Sequence, residues 1–184
     1  MVVASDVVVV PLKAFGVAKH RLRRGGVRGV SELAHDLALG VIEGCAPRHV
    51  IVLSESSAVS RFALEHGAEA LESDAADLNG AVQRAYATLG SRYDQLIIAH
   101  GDLRYPSGLG TFSPEVGVTV FADHLGTGTN VMVVPTRLDF RFAYGEHSAQ
   151  RHHREAQRLG VACRVITDSP WRFDVDEPGD VNLP

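Results

Sequence analysis

Cysteine is scarce in this chain of 184 residues. Cys45 and Cys163 are its two thiols, too few and too far apart for a disulfide framework or a zinc site. Both stand in apolar surroundings, as small core residues do. Long hydrophobic runs are missing too. The longest, residues 7–12, falls far short of the ~20 residues a membrane span requires. No basic, then apolar, then small-residue succession reads as a signal sequence, so a reducing cytoplasm is the expected setting. Basic residues are not in excess: 18 Lys and Arg against 22 Asp and Glu leave a net charge of −4. General nucleic-acid binding, which shows a basic face, is set aside. What remains, 45% hydrophobic and 22% charged, is enough for one domain over residues 1–184 with a substantial core. A homodimer is the base-rate expectation for such a chain.

Apolar runs at residues 7–10, 50–53 and 96–99 read as buried strands. Between them lie helical patterns: Leu33, Leu37, Val41 and Ile42 behind Ser31 as N-cap, then Val59, Phe62 and Ala63 closed by Gly67, then Val82, Ala85 and Leu89. Residues 69–71 add a brief strand. This β-α-β-α-β alternation predicts a parallel sheet with right-handed crossovers. Strands at residues 116–121, 131–135 and 161–166, and a helix carrying His152, Ala156 and Leu159, complete the chain.

Chemistry collects at strand ends. Asp102 follows the central strand and Gly101, where ligands sit in open α/β sheets. It reads either as a turn cap or as a Mg²⁺ ligand beside a phosphate substrate. Asp174 and Asp176 alternate around Val175, so in an extended segment both carboxylates face one way. The loop after the first strand carries Lys13, Lys19, Arg21, Arg23 and Arg24 with three glycines. It is either a phosphate-binding loop or a solvated basic one, and it is neither a Walker loop nor G-x-G-x-x-G. Asn79, in D-L-N-G-A, is an N-cap or marks helix amides near a nucleotide base or ribose. Gly126, Thr127, Gly128 and Thr129 suit an anion or simply form a tight turn. Ser148 caps a helix or opens an anion site.

His124, His147, His152 and His153 invite a transition-metal reading, but adjacent His152 and His153 do not share a helix face, and the acidic oxygen set favours a hard cation. Ser148 and His152 lack a third partner for a hydrolase triad. His152 either orients the Ser148 loop or lies on the surface.

Taken together, VVVPLKAFGVAKHRL, DLNGAV, AHGDL, DHLGTGTN, FAYGEHSAQRHHREA and DVDEPGDV resemble, in order and over nearly the whole chain, the 2-phospho-L-lactate and phosphoenolpyruvate guanylyltransferases of coenzyme F-420 biosynthesis, the CofC/FbiD-like family within the MobA-like nucleotidyltransferases. The resemblance implies a single-domain, three-layer Rossmann-like α/β fold with a mostly parallel mixed sheet. It implies transfer of GMP from GTP to a phosphorylated three-carbon acid: phosphoenolpyruvate, 2-phospho-L-lactate or 3-phospho-D-glycerate. Asp102, Asp174 and Asp176 would bind one or two Mg²⁺ ions. Lys13, Lys19 and Arg21 would contact the GTP phosphates, with Lys13, Lys19 and Asp102 carrying catalysis and Asn79 and Gly80 near the base or ribose. Thr127, Thr129, Gly145 and Ser148 would hold the acid. His20 stands where the family usually has Ser or Thr, Arg104 where it has Pro, and the connection over residues 103–122 is shorter. The rivals are a nucleotidyltransferase of other nucleotide or acceptor specificity and a catalytically silent nucleotide binder.

Overall fold

Four consecutive valines cannot face one way along a strand, so Val7, Val8, Val9 and Val10 require cover on both sides. The computed structural model, which describes residues 5–182, provides it: β1 (Asp6–Pro11) lies inside a seven-stranded sheet with all four valines fully buried. The other strands are β2 (Val50–Ser54), β3 (Glu69–Glu72), β4 (Gln95–Ala99), β5 (Val118–Ala122), β6 (Thr129–Pro135) and β7 (Cys163–Ile166). Their order is β3-β2-β1-β4-β6-β5-β7. Every pairing is parallel except those of β6, which is antiparallel to β4 and β5. The mostly parallel mixed sheet read from the sequence is present.

Helices cover both faces, giving three layers. The helices are α1 (His20–Arg24), α2 (Val30–Gly44), α3 (Ser57–Glu65), α4 (Leu78–Leu89) and α5 (Ser148–Arg158). Val7, Val9, Leu96 and Ile98 pack with Val82, Ala85 and Leu89 of α4 and with Ala149 and Ala156 of α5. Val8, Val10, Ile97 and Ala99 pack with Ala38 and Val41 of α2 and with Val59 and Phe62 of α3. Each face takes alternate residues of every central strand. Among the described residues, no helix is long and apolar enough to cross a membrane.

The helix starts differ from the sequence reading. Gly29 (φ 66°), not Ser31, precedes α2, and the Ser31 hydroxyl accepts from Arg23 (2.9 Å). Asp77, not Asn79, caps α4 by accepting from the Gly80 N–H (2.8 Å). His147 (φ 54°) precedes α5, which leaves Ser148 as its first residue. The fifth strand starts at Val118 rather than 116: Val116 is exposed, and Gly117 takes a left-handed φ of 104° against the Ala162 carbonyl, where a Cβ would lie 2.4 Å away. The last strand starts at Cys163, because the Val161 N–H closes α5 on the Ala156 carbonyl (3.1 Å). Cys45 is buried as expected, but Cys163 is only half-buried.

This topology decides where function can sit. Six strands end at one edge of the sheet, and reversed β6 brings its first residues, Thr129 and Asn130, to that same edge.

Candidate active site

Along that edge runs a cleft of about 910 Å³, ample for a nucleotide and a small acid. Leu12, Lys13, Phe15 and Lys19 of the loop after β1 line it with Arg21 of α1, Ser54 at the end of β2 and Ser73 after β3. His100, Asp102, Thr129, Tyr144, Gly145, Ser148, Asp174 and Asp176 complete the lining. Of the residues to which the resemblance gives a role, Thr127, Asn79 and Gly80 are not on the lining.

The acidic pair is assembled by backbone. Asp102 and Asp174 are far apart in sequence, yet Leu103 bridges to Asp174 in antiparallel register. The Val175 N–H donates to the Asp102 carbonyl (3.1 Å) and the Arg104 N–H to the Phe173 carbonyl (2.8 Å). The second bond uses an N–H that a proline at Arg104 would lack. Val175 is buried against Leu22 and Val30, which leaves its acidic neighbours on the cleft side. Asp180 fixes the turn beyond by accepting from the Asp176 and Glu177 N–H groups (3.0 and 2.7 Å). Gly101 has a steric reason: a Cβ there would meet the Leu12 side chain at 2.1 Å.

Lys19 takes a left-handed conformation (φ 60°, ψ 45°) at the start of α1, an uncommon one for a residue with a Cβ. That turn sends its side chain inward, 8% exposed, to pair with Asp102 Oδ2 and to lie 3.6 Å from Asp176 Oδ1. Exposed Arg21 meets Asp176 Oδ2 at 2.8 Å. Arg23 has another task. Its guanidinium donates to the Ala18 and Phe15 carbonyls (2.9 and 2.7 Å) and holds the loop's shape. Burial alone would raise the Asp102 carboxyl, but Lys19, with help from His100, holds it below the usual range. Asp174 goes the other way, raised by burial and by the neighbouring Asp102.

Asp102 Oδ1 is buried with no hydrogen-bond partner among the described residues. A carboxylate oxygen left so, beside a second acid and among oxygen donors, fits a hard divalent cation. Asn130 aims that second acid, its amide donating to Asp174 Oδ1 (3.3 Å) and to the Trp171 and Arg172 carbonyls (both 3.1 Å). Among the described residues, no three His, Cys, Asp or Glu side chains close around one metal position. Asp176 instead faces Lys19 and Arg21.

The cleft wall around Thr129 has a polarity set by one ring. His152 is fully buried. Its Nε2 accepts from the Ala143 N–H (3.0 Å), so the ring proton lies on Nδ1 and is donated to Thr129 Oγ1 (3.1 Å). Ser148 Oγ also donates to Thr129 Oγ1 (3.2 Å). With both lone pairs of the Thr129 oxygen taken, its own proton is left for the cleft. Burial pushes the His152 pKa down to about 4, so this relay is uncharged near neutrality. The orienting role is the one realised, and the surface alternative is not.

Other expectations are revised by the hydrogen bonds. The Ser148 and Ala149 N–H groups go to the Gly145 and Thr127 carbonyls (3.1 and 3.0 Å), so the start of α5 is knit to its neighbours rather than open to an anion. Asp123 closes the β5–β6 turn by accepting the Thr127 N–H (2.8 Å). Asn79 gives its amide to Tyr144, donating to the carbonyl (3.2 Å) and accepting from the N–H (2.6 Å). One turn on, Gln83 treats the Phe140 carbonyl and Phe142 N–H alike (2.9 and 3.2 Å). Gly80 packs under Ala75, where a Cβ would come within 3.3 Å. His100, Tyr144 and Asn130 were not singled out from the sequence, because each sits inside a motif whose neighbours looked more reactive.

Comparison with known proteins places this geometry in context. Residues 6–182 match a family described as guanylyl transferase CofC like. A phosphoenolpyruvate guanylyltransferase of Roseiflexus castenholzii is 27% identical over 178 residues, 94% of this chain and 84% of that protein. A 2-phospho-L-lactate guanylyltransferase of Methanothermobacter thermautotrophicus is 28% identical over 183 residues, 94% and 81% of the two chains. A 3-phospho-D-glycerate guanylyltransferase of Colwellia psychrerythraea is 28% identical over 141 residues, 73% and 67%. Among solved structures, a nucleotidyl transferase from Methanothermobacter superposes with a TM-score of 0.68 at 14% identity, covering 96% of this chain and 94% of the other. That last likeness is one of fold.

Proposed function

Because the chain belongs to the CofC-like guanylyl transferase family, we propose that it transfers GMP from GTP to a phosphorylated three-carbon acid, releasing pyrophosphate, as a step of coenzyme F-420 biosynthesis. The observation that carries the reading is one cleft that brings Lys19, Asp102 and Asp174 together with Thr129 and Ser148. Related proteins named for three such acids support the acceptor class.

In this reading the nucleotide lies over the ends of β1, β2 and β3, between Leu12, Ser54, Ser73 and Leu78. Lys13, Lys19 and Arg21 lie along its phosphates, and Gly80 holds the Ala75 loop beside the base. The acid lies across from it, with Thr129 donating to it and Gly145 and Ser148 shaping its pocket. Thr127 acts from behind as part of the turn. A phosphate oxygen of the acid attacks the α-phosphorus of GTP. One P–O bond forms as the bond to the β-phosphate bridging oxygen breaks. An ionised phosphate needs no general base, so the barrier is repulsion between anions and the charge growing on the leaving group. Lys19 reduces both, and the cleft fixes the line of attack. Asp102 and Asp174, with Asp176 behind Lys19, would hold one or two Mg²⁺ ions, which would neutralise α- and β-phosphate charge. The same reading sets the enzyme in the cytoplasm, with a homodimer as the base-rate assembly.

The test is pyrophosphate release from GTP and Mg²⁺ with each of the three acids, ATP, CTP and UTP serving as controls. Release with GTP and one acid is the expected result. GTP binding without release from folded protein would overturn it in favour of another acceptor or the silent binder.

A further inference from the structure

The cleft leaves two side-chain atoms unmatched besides Asp102 Oδ1. The Tyr144 hydroxyl and His100 Nε2 are both buried with no hydrogen-bond partner among the described residues, and both residues line the cleft. Such atoms are costly to leave unpaired in a folded protein. Tyr144 is 7% exposed, and its ring is held by neighbours on two sides, His152 at 4.9 Å and His100 at 5.4 Å between ring centres. Its backbone is clamped by Asn79. The Tyr144 side chain is not free to swing out to solvent in search of a partner, and with His100 packed beside it the pair sets a polar demand on whatever binds there.

The chemistry of that demand is narrow. His100 also lies close enough to Asp102 and Asp174 to influence both carboxylates. Lys19, the buried cation of the site, is already committed to Asp102 and Asp176. In the proposed pose the acid's phosphate is engaged with GTP and its carboxylate with the Thr129 side of the pocket, so neither is left for this pair. A hydroxyl is. It is also donor and acceptor at once, so a single hydroxyl completes both atoms, accepting from the Tyr144 O–H while donating to His100 Nε2, or the reverse.

We propose that His100 and Tyr144 are specificity-determining residues that bind a free hydroxyl on the acceptor, and that the preferred acceptor is a phosphorylated hydroxy acid of the 3-phospho-D-glycerate type. This rests on the guanylyl-transfer reading above and narrows it. Phosphoenolpyruvate and 2-phospho-L-lactate carry phosphate and carboxylate but no free hydroxyl, so each leaves the two buried atoms unpaired. Sites built to hydrogen-bond a hydroxyl discriminate strongly against analogues that lack it.

The experiment measures kcat/KM of the full-length protein, with GTP and Mg²⁺, for 3-phospho-D-glycerate, phosphoenolpyruvate and 2-phospho-L-lactate, in the native chain and in Tyr144→Phe. Phenylalanine keeps the ring and its packing and removes the hydroxyl alone. The native protein is expected to prefer 3-phospho-D-glycerate by about tenfold or more, and Tyr144→Phe to lower that preference by about tenfold or more. His100→Ala should lower it in the same direction. A native preference for an acid without the hydroxyl, or a preference in Tyr144→Phe within about twofold of the native value, overturns the proposal and leaves guanylyl transfer standing. No release with any of the three acids overturns both.

Discussion

His152 Nδ1 stands 3.1 Å from Thr129 Oγ1, while its Nε2 receives the Ala143 N–H, so one buried ring fixes both a hydroxyl on the cleft wall and the loop that approaches it. His152→Phe keeps the bulk of a ring among Phe140, Phe142 and Tyr144 but leaves the Ala143 N–H unpaired and the Thr129 proton free to rotate. A stability loss of about 1–3 kcal/mol is expected in urea unfolding. The acceptor KM should rise while the GTP KM holds. His152→Asn, whose amide restores a donor toward Thr129, should recover part of the acceptor KM. A rise in both KM values together would refute this division of labour.

The same ring predicts how stability depends on pH. In the unfolded chain His152 takes up a proton as pH falls through 6.5, whereas in the folded protein burial delays this to about 4. Between those values the unfolded state binds more protons, so stability falls as pH falls across the window, by a few kcal/mol (about 1.4 per unit) in total. Above about pH 7 the contribution is flat. Urea midpoints measured from pH 7.5 to 4.5 should slope accordingly in the native protein, and the slope should flatten in His152→Phe. Parallel slopes in the two proteins would mean that other groups dominate.

Asp102 and Asp174 are pushed in opposite directions, Asp102 down by Lys19 despite its burial and Asp174 up by burial and by Asp102. On acidification Asp174 therefore takes a proton first, at a pH above the ordinary carboxylate range, and a protonated carboxyl is a poor cation ligand. The acid limb of turnover should move to lower pH as Mg²⁺ is raised, since cation and proton compete for one site. Asp102→Asn should remove turnover by about 10³-fold or more and change the unfolding midpoint little, because the amide preserves shape and the buried Lys19 keeps Asp176 within reach. An acid limb indifferent to Mg²⁺ would remove the cation from this account.

The sheet was legible because its strands are near-continuous apolar runs, and a buried parallel strand has little freedom to be anything else. The cleft's position followed from strand direction alone. Asp102, Asp174 and Lys19 were legible because charge placed at a strand end, or in a loop with glycines, has few structural uses. Helix starts were not. Ser31, Asn79 and Ser148 all have capping chemistry, but Gly29 and His147 adopt left-handed turns and Asp77 reaches Gly80 first, choices set by how the loops enter. The roles of His100, Tyr144, Asn130 and His152 depend on pairs distant in sequence, such as Thr129 with His152 and Asn130 with Asp174. No periodicity encodes those.

Asn79 offers a direct contest between sequence position and structure. Its place at the start of α4 points toward the nucleotide, yet both ends of its amide are spent on the Tyr144 backbone. It acts there as a strand neighbour would, satisfying an N–H and a carbonyl that no sheet reaches. Asn79→Ala leaves that pair without its partner and should cost about 1–3 kcal/mol in unfolding free energy. Loosening of the adjoining Tyr144–Gly145 turn should then raise the acceptor KM by about tenfold and the GTP KM by about twofold or less. Asn79→Asp keeps the acceptor for the N–H but sets a carboxylate against the Tyr144 carbonyl, so it should fall below alanine in stability. If the substitution instead raises the GTP KM and spares the acid, Asn79 contacts the nucleotide, and the clamp on Tyr144 is incidental to binding.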